Sequence, residues 1–370
     1  KTLRYTGQGH LLCIISHNMS SQSVNWKSDS QFTAKIHVDT IEFSPTAHVA
    51  LCGCYQYDEM NKIRHGALLV FRRKADGVTI ELDQEVTSCG ILDLCWYSNH
   101  MALGALTDGR VALWQLSQDC NINVEQPLST TTVTDNIVLS IDSSQDAIVC
   151  SDSSGRIYQL SIRDGQTVSQ DLCLSAHQFE AWCAALNRHR KNIIYSGGDD
   201  CYFRIWDART AELPVLSIRH KMGVCSVQQH PTSENIVSTG CYDEQVHLWD
   251  LRCLSGSTDP FRSHLLAAYP VGGGVWRHKW SPRGNWILAA GMHTGFALLG
   301  PLGVDDSSVS PCPVARYRPD AKLAYGADWC CSSDSPSQLT ASVATCSFMD
   351  NRVDFSRLSV ALCRPAQPPD

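Results

Sequence analysis

The sequence predicts an all-β protein folded as a seven-bladed β-propeller, on the basis of a repeated motif, its spacing and the strand pattern around it. The clearest copies of the motif are DDCYFRIWD and YDEQVHLWD. In the first copy Asp200 precedes Trp206 by six residues, and in the second Asp243 precedes Trp249 by the same interval. Self-similarity of this kind indicates an architecture assembled from repeats.

Five weaker pairs repeat the interval and complete a series of seven. They are His65 with Phe71, Asp108 with Trp114, Asp152 with Tyr158, His293 with Leu299, and Asp350 with Ser356. The second members of the seven pairs are separated by 43, 44, 48, 43, 50 and 57 residues, close to the WD-repeat period of about 40–45. The longer last intervals indicate loop insertions, and the series predicts a propeller of the WD40 type.

Each repeat is predicted to form a four-stranded blade. Segments such as VCSVQQHPTSENIVSTG place a polar turn between two β-rich runs, which is the pattern of a strand pair. One blade cannot bury both of its faces, so the blades must stack radially and close into a ring. We expect a single propeller over residues 31–360, closed by an outer strand from Phe32 to Val38 in the last blade.

Both ends of the sequence fall outside the repeats. Residues 1–30 are polar and rich in Ser, Gln and Asn, so we expect them to form a poorly ordered N-terminal appendage. Residues 361–370 are expected to form a C-terminal tail. The remaining chain has ample apolar material for one large core, since 43% of all residues are hydrophobic and 18% are charged.

Composition and charge exclude several function classes. A net charge of −7 provides no basic stripe for phosphate backbones, so no direct nucleic-acid partner is expected. The eighteen cysteines are not accompanied by a signal peptide, and we interpret them as reduced thiols of a cytoplasmic protein. The longest early apolar run, Leu11 to Ile15, is too short to span a bilayer, so no membrane is expected. Cys52 and Cys54 form CxC and not the CxxC typical of zinc sites, so no metal and no cofactor are predicted.

Two sets of polar residues look catalytic but are predicted to be structural. WD repeats characteristically carry a hydrogen-bonded His, Ser or Thr, Asp and Trp chain that ties the strands of a blade together. A buried polar network of this kind stabilises a blade only when every member is satisfied. The two sets are His177, Ser196, Asp200 and Trp206, and His220, Thr239, Asp243 and Trp249.

The sixth and seventh blades lack the tryptophan of this chain, because Leu299 and Ser356 stand in its place. Their turn residues His293 and Asp350 are therefore candidates for a functional site. Degeneration of the repeat explains the same residues equally well.

Unusual segments fall on the loops predicted to surround one mouth of the central channel. They are AHQFEAW, YSGGDD, HKMGVCS, TGCYDE, GGGVWR, GMHTGF, YGADW and ATCSFMDN. These strings closely resemble those of the WD-repeat diphthine methylesterases, which act in diphthamide biosynthesis on translation elongation factor 2. The resemblance covers about residues 32–355 and fails over residues 1–30 and at the missing last tryptophan.

The resemblance implies a methyl ester hydrolase whose substrate is the modified histidine of elongation factor 2, hydrolysed to diphthine. That side chain carries a trimethylammonium group, and aromatic faces with nearby carboxylates favour such cations. A packing role in the inner strands is the alternative for each aromatic residue taken singly. The predicted substrate-binding residues are Glu180, Trp182, Glu244, Trp276, Tyr325, Asp328 and Trp329.

Ester hydrolysis needs a nucleophile or activated water, a base, and donors for the developing oxyanion. The sequence has no GxSxG nucleophile elbow. The predicted catalytic residues are His293 as the base, Arg277 as an oxyanion or carboxylate clamp, and Asp350. Cys225 or Cys346 is an alternative nucleophile, although a buried strand cysteine is usually inert.

A non-catalytic function stays open, because propellers commonly serve as interaction platforms. WDAR and WDLR, ending at Arg209 and Arg252, are similar to the WDxR boxes of substrate receptors for cullin-based ubiquitin ligases, although both arginines can equally satisfy strand-end carbonyls. A methyl-lysine reader is a third class. The expected partners are elongation factor 2 carrying methylated diphthine and a ubiquitin-ligase adaptor, with the chain itself a monomer.

Overall fold

The computed structural model describes residues 23–116, 126–144, 147–210, 212–252, 264–302, 313–318, 320–335 and 337–361. Within these stretches lie seven antiparallel sheets of four strands each. The predicted all-β fold with seven blades is therefore confirmed. The second members of all seven motif pairs lie in the third strand of their blades, as the repeat requires. In the described stretches, no helix has the length and apolar character needed to cross a membrane.

The first strand of each blade lines the central channel. Each of these strands contacts the first strands of both neighbouring blades, and the contacts close into a ring. All seven run from one face of the propeller, which we name the upper face, to the lower face. They are β2 (Val38–Phe43), β6 (Ile91–Ser98), β10 (Val138–Ser144), β14 (Cys183–Leu186), β18 (Val224–Gln229), β22 (Val275–Trp280) and β26 (Ala324–Asp334).

The remaining strands extend each blade outward by antiparallel pairing. The second strands are β3 (Val49–Asp58), β7 (Met101–Leu106), β11 (Ala147–Asp152), β15 (Ile193–Gly197), β19 (Ile236–Cys241), β23 (Ile287–Gly291) and β27 (Gln338–Ser347). The third strands are β4 (Ile63–Arg73), β8 (Arg110–Gln115), β12 (Arg156–Arg163), β16 (Tyr202–Asp207), β20 (Gln245–Asp250), β24 (Phe296–Leu299) and β28 (Arg352–Ala361). The outer strands are β5 (Ile80–Cys89), β9 (Ser129–Thr132), β13 (Thr167–Ser175), β17 (Leu216–Arg219), β21 (Leu265–Pro270), β25 (Pro313–Tyr317) and β1 (Ser23–Thr33).

The ring closes through β1, which pairs with β28 of the last blade. The predicted closing strand, Phe32 to Val38, was placed too late, because Val38 already begins the channel strand of the first blade. The predicted domain start at residue 31 is also too late, because β1 of the last blade begins at Ser23. The polar composition of β1 hid it, since an outer strand keeps most of its side chains half-exposed or exposed and buries only Trp26.

The ends of the chain bear on two further predictions. Ala361, placed in the C-terminal tail, is the last residue of β28. Residues 1–22 and 362–370, which make up most of the predicted appendage and tail, lie outside the described residues.

The core lies between the blades. One cluster of buried apolar side chains fills each of the seven interfaces between neighbouring blades. Between the sixth and seventh blades, for example, Phe296 and Leu298 pack against Val343 and Leu358. Burying one side chain of this size contributes roughly 1.5–3 kcal/mol, so the interfaces stabilise the ring and fix the channel strands.

The predicted polar chain of the fourth blade is confirmed. His177 Nδ1 lies 2.8 Å from Asp200 Oδ1, and His177 Nε2 lies 2.8 Å from Ser196 Oγ. Trp206 Nε1 donates to the same hydroxyl group at 2.9 Å. These residues support the blade and are not a catalytic triad.

The fifth blade repeats part of this arrangement. Trp249 Nε1 donates to Thr239 Oγ1 at 2.8 Å, whereas His220 Nε2 lies 3.4 Å from that oxygen. In the seventh blade Ser356 replaces the tryptophan, and Trp26 of β1 donates to its hydroxyl group at 2.9 Å. The N-terminal strand therefore supplies an indole to the blade that lacks one.

Candidate active site

The channel strands share an irregularity near the upper face that determines which side chains reach the site. In six of them the register with the second strand shifts within the first three residues. Such bulges redirect a side chain from the regular alternation of a strand. The shifted positions include Asp39 in β2, Cys225 in β18, Trp276 in β22 and Tyr325 in β26.

Six aromatic rings lie together at the upper end of the channel. Trp276 stacks on Tyr325 with ring centroids 4.7 Å apart, and the Trp182 ring meets Trp276 at 5.4 Å and 61°. The Tyr242 ring is tilted against Trp276, with ring centroids 6.4 Å apart. Phe348 extends the contacts from Tyr325 to Tyr55. We name this group the aromatic cluster: Tyr55, Trp182, Tyr242, Trp276, Tyr325 and Phe348.

A buried carboxyl group lies beside the aromatic cluster. Asp39 is 2% exposed, and burial raises its pKa to about 7, although the nearby positive charge of Arg277 acts in the opposite direction. Burial raises the pKa of Tyr55 and of Tyr325, and the negative charge of Asp39 raises both further. A carboxyl group with this pKa can both accept and donate a proton near neutral pH.

Arg277 lies in the channel wall, and its positive charge acts on Asp39. Its Nη1 forms an ion pair with Asp93 Oδ1 at 2.9 Å and donates to Thr40 Oγ1. Nη2 donates to the backbone carbonyl of Leu92. The guanidinium group is thereby held in one orientation, and it remains partly exposed at the wall of the channel cavity.

Below these residues the channel encloses a cavity of about 590 Å³. Lys279 lies in its wall between Glu42 and Asp328, with Nζ 3.1 Å from Asp328 Oδ1. Burial raises the pKa of Glu42 to about 8 despite the opposing charge of Lys279. At the lower end Arg188 pairs with Asp142 at 2.6 Å. The cavity wall thus carries several charges of alternating sign.

Three predicted substrate-binding residues meet in the aromatic cluster: Trp182, Trp276 and Tyr325. Glu180 lies half-buried on the loop that carries Trp182. A second carboxylate, Asp199, contacts the cluster as well, since its Oδ1 accepts the Trp182 indole N–H at 3.1 Å.

The structure does not bring the other predicted substrate-binding residues to this cluster. Asp328 is paired deeper in the channel, and its Oδ2 accepts the backbone N–H of Phe43 at 2.7 Å. Trp329 is buried between the sixth and seventh blades and donates to the carbonyl of Lys279. Glu244 lies exposed on a turn at the upper face, with a left-handed φ of 69°.

The three predicted catalytic residues occupy separate positions. His293 is exposed on the turn between β23 and β24. Asp350 Oδ2 accepts hydrogen bonds from Ser347 Oγ and Arg318, both at 2.9 Å, and so stabilises its own turn. Across the described residues, no hydrogen bond or ion pair joins His293 or Asp350 to Arg277.

The alternative cysteine nucleophiles are both buried. Burial raises the pKa of Cys225 well above its ordinary value. A thiol that stays protonated is a poor nucleophile.

Sequence reasoning missed five residues of the site: Asp39, Tyr55, Asp199, Tyr242 and Phe348. Three of them lie in the strings YSGGDD, TGCYDE and ATCSFMDN, so their loops were singled out although the residues were not. Asp39 lies in the first blade, ahead of all eight strings. The signal that could have identified Asp39 is its position, because it is the second residue of β2, just as Trp276 is the second residue of β22.

Comparison with known proteins identifies relatives over most of the chain. The family model "WD domain, G-beta repeat" matches residues 169–207 and 213–250. Diphthine methyltransferase from Mus musculus is 35% identical over 81% of this chain and 68% of its own length. The protein of the same name from Homo sapiens is 33% identical over 81% of this chain and 73% of its own length.

Two further matches do not show the family of the chain, because one covers a short segment and the other has low sequence identity. The E3 ubiquitin-protein ligase COP1 of Arabidopsis thaliana is 33% identical over 25% of this chain and 13% of its own length. A chain of the structure "Crystal Structure of Mitotic Checkpoint Complex" superposes with a TM-score of 0.65 at 16% identity, over 92% of this chain and 98% of that chain, and shows the fold alone. The sequence identity and the coverage of the mouse and human relatives show that the chain belongs to the diphthine methyltransferase family of WD-repeat proteins.

Proposed function

We propose that the protein is a diphthine methyl ester hydrolase of diphthamide biosynthesis, acting on the modified histidine of translation elongation factor 2. Membership of the family supports a diphthine-related role. One observation favours hydrolysis in particular: the buried Asp39 carboxyl group, which interacts with Trp276 of the aromatic cluster, lies within the electrostatic influence of the Arg277 guanidinium group. A base and a cation at such a position suit attack of water on an ester.

The aromatic cluster would hold the trimethylammonium group of the substrate. Each aromatic face contributes about 0.5–2 kcal/mol to binding a cation of this kind. The Trp182 and Trp276 rings already touch, so the cation enters when Trp182 turns aside. That movement breaks the hydrogen bond from Trp182 to Asp199 and leaves the Asp199 carboxylate facing the positive charge.

In the hydrolysis, the Asp39 carboxylate takes a proton from a water molecule while the water oxygen attacks the ester carbonyl. Arg277 donates to the oxyanion that forms, from an orientation already fixed by Asp93 and Thr40. The intermediate collapses by breaking the bond to the methoxy oxygen, which takes the proton back from Asp39. The products are the diphthine carboxylate, a proton and methanol.

Exposed apolar side chains at the upper face support a protein substrate. Phe179, Met222 and Met349 are 59%, 49% and 53% exposed. Phe179 and Met222 lie on loops that lead into channel strands, and Met349 lies on the turn between β27 and β28. Apolar residues grouped around a site are typical of protein interaction surfaces.

The test is mass spectrometry of elongation factor 2 carrying methylated diphthine after incubation with the purified protein. We expect the loss of one methylene mass from the modified histidine and the release of methanol. Arg188→Ala, at the lower end of the channel, is the matched control and should remain active. A substrate left unchanged by folded wild-type and Arg188→Ala preparations alike, or methyl addition in the presence of a methyl donor, would refute the proposal.

A second function is favoured by two arginines on the lower face. Arg209 and Arg252 follow the third strands of adjacent blades, their side chains are 70% and 63% exposed, and each pairs at 2.5 Å with the aspartate two residues earlier. We propose that this pair of exposed ion pairs docks a ubiquitin-ligase adaptor. Arg209→Ala with Arg252→Ala should abolish adaptor co-purification and leave ester hydrolysis unchanged, and unaltered co-purification would exclude this role for the pair.

A further inference from the structure

A second constellation of polar side chains lies in the fifth blade, and the proposed hydrolysis does not use it. His220, Cys241 and Asp243 each offer one ligand atom, and these atoms all lie within 4.8 Å of one another. His220 lies on the loop that follows β17, Cys241 ends β19, and Asp243 lies on the turn before β20. Folding therefore brings together three types of metal-binding side chain from different parts of the blade.

His247 supplies a fourth side chain. Its Nε2 lies 3.6 Å from Asp243 Oδ2, and its ring meets the His220 ring edge-on at 4.9 Å between centroids. One imidazole, a thiol and a carboxylate thus lie around one point, and a second imidazole lies next to the carboxylate. All of these are ligands of zinc in proteins.

The fourth blade provides an internal comparison, because it has the same motif but no counterpart of Cys241 or His247. Counted from the turn aspartate, Gly198 takes the position of Cys241 and Arg204 takes that of His247. Arg204 Nη1 lies 2.7 Å from both Asp200 Oδ2 and His177 Nδ1. The guanidinium group therefore fills and charges the space between the histidine and the aspartate, which excludes a metal ion there.

We propose that His220, Cys241 and Asp243 bind one zinc ion, with His247 beside Asp243 as the fourth ligand after a small movement of its ring. Zinc lies about 2.0–2.3 Å from such ligands, which places neighbouring ligand atoms about 3.5 Å apart. The Asp243–His247 separation of 3.6 Å already has this value, and the separations among His220, Cys241 and Asp243, which reach 4.8 Å at most, require a closure of about 1 Å. The CxxC spacing typical of zinc sites is absent from this group of ligands, because its members come from four separate elements of one blade.

The position of the proposed zinc site gives it a structural consequence. Tyr242 lies between the ligands Cys241 and Asp243, and its ring forms one wall of the aromatic cluster. Zinc would hold the turn that carries Tyr242. The inference concerns metal binding alone and does not depend on ester hydrolysis.

The experiment is the zinc content of the full chain, measured by inductively coupled plasma mass spectrometry after dialysis against a weak chelator. We expect one zinc per chain for the wild type and for Cys225→Ser, which removes a buried thiol outside the site. His247→Arg and Cys241→Gly give the fifth blade the residues of the fourth, so they should keep the fold, shown by circular dichroism, and lose the metal. Wild-type protein that takes up no zinc from micromolar free zinc overturns the proposal, as does full zinc retention in both variants.

Discussion

Replacing Asp39 with asparagine tests the proposed mechanism most directly, because it keeps the shape of the side chain and removes its basicity. Loss of a general base lowers the rate by about 100- to 10,000-fold, which corresponds to about 3–5 kcal/mol of transition-state stabilisation. We expect a fall of this size in kcat for Asp39→Asn, with little change in KM, since the aromatic cluster that binds the cation is intact.

The pH dependence follows from the pKa of Asp39. A carboxylate base acts only when deprotonated, and this group has a pKa of about 7. kcat/KM should therefore rise about tenfold per pH unit below pH 7 and level off above it. Arg277 lowers the pKa of Asp39, so Arg277→Met should move the midpoint to higher pH in addition to slowing hydrolysis.

Asp39→Asn, which should slow hydrolysis, is expected to increase the stability of the protein above neutral pH. The carboxyl group of Asp39 releases its proton near pH 3.8 in the unfolded chain and near pH 7 in the folded protein. Between these values the folded state binds more protons, so this group lowers the free energy of unfolding by about 1.4 kcal/mol per pH unit as the pH rises. Asp39→Asn removes that loss and should raise the melting temperature at pH 8 relative to the wild type.

The assay is methanol release and substrate mass over pH 5–9, combined with thermal unfolding of the same preparations. A variant that is slower and yet more stable at pH 8 supports the mechanism. Asp39→Asn with wild-type kcat would refute it. His293→Ala provides the comparison, since a loss as large as that of Asp39→Asn would assign the base to the exposed turn of the sixth blade.

Three further predictions concern binding and stability. Trp182→Ala should raise KM by about 2- to 30-fold, which corresponds to the loss of one cation–π contact. Steady-state kinetics measures this, and a change confined to kcat would contradict the proposed cation site. Trp26→Phe should lower the free energy of unfolding by about 1–3 kcal/mol, because the buried hydroxyl group of Ser356 loses its partner; denaturation in urea measures this, and an unchanged midpoint would contradict it. Ser196→Ala should destabilise by a similar amount, since it leaves the buried His177 and Trp206 without their shared partner, and an unchanged melting temperature would count against the structural role.

The repeat could be predicted because its signal is local. Asp200 and Trp206 are six residues apart and mark a turn and the strand that follows, so their spacing alone defines a blade. The outer strand β1 carries no such mark. Its place depends on pairing with β28, more than 300 residues later, and Trp26 becomes recognisable as core only when Ser356 is beside it.

The candidate site was only partly predictable because bulges determine which channel residues face each other. Tyr325 and Trp329 belong to one strand and one sequence string, yet the bulge at the start of β26 takes Tyr325 to the aromatic cluster while Trp329 packs between blades. Asp39 reaches the site through the corresponding bulge in β2. Sequence patterns give the alternation of a strand and do not show where it is interrupted.

Closure of the ring by β1 has a consequence for how the protein is made. The residues that complete the last blade are among the first and the last of the described chain to leave the ribosome, so the seventh blade cannot form until synthesis has passed Ala361. Until then β1 exposes an unpaired edge, a feature that favours aggregation. Contacts of such long sequence separation also form slowly. A nascent chain stalled within β27 should therefore be a ring with an open seam, sensitive to proteases and dependent on chaperones.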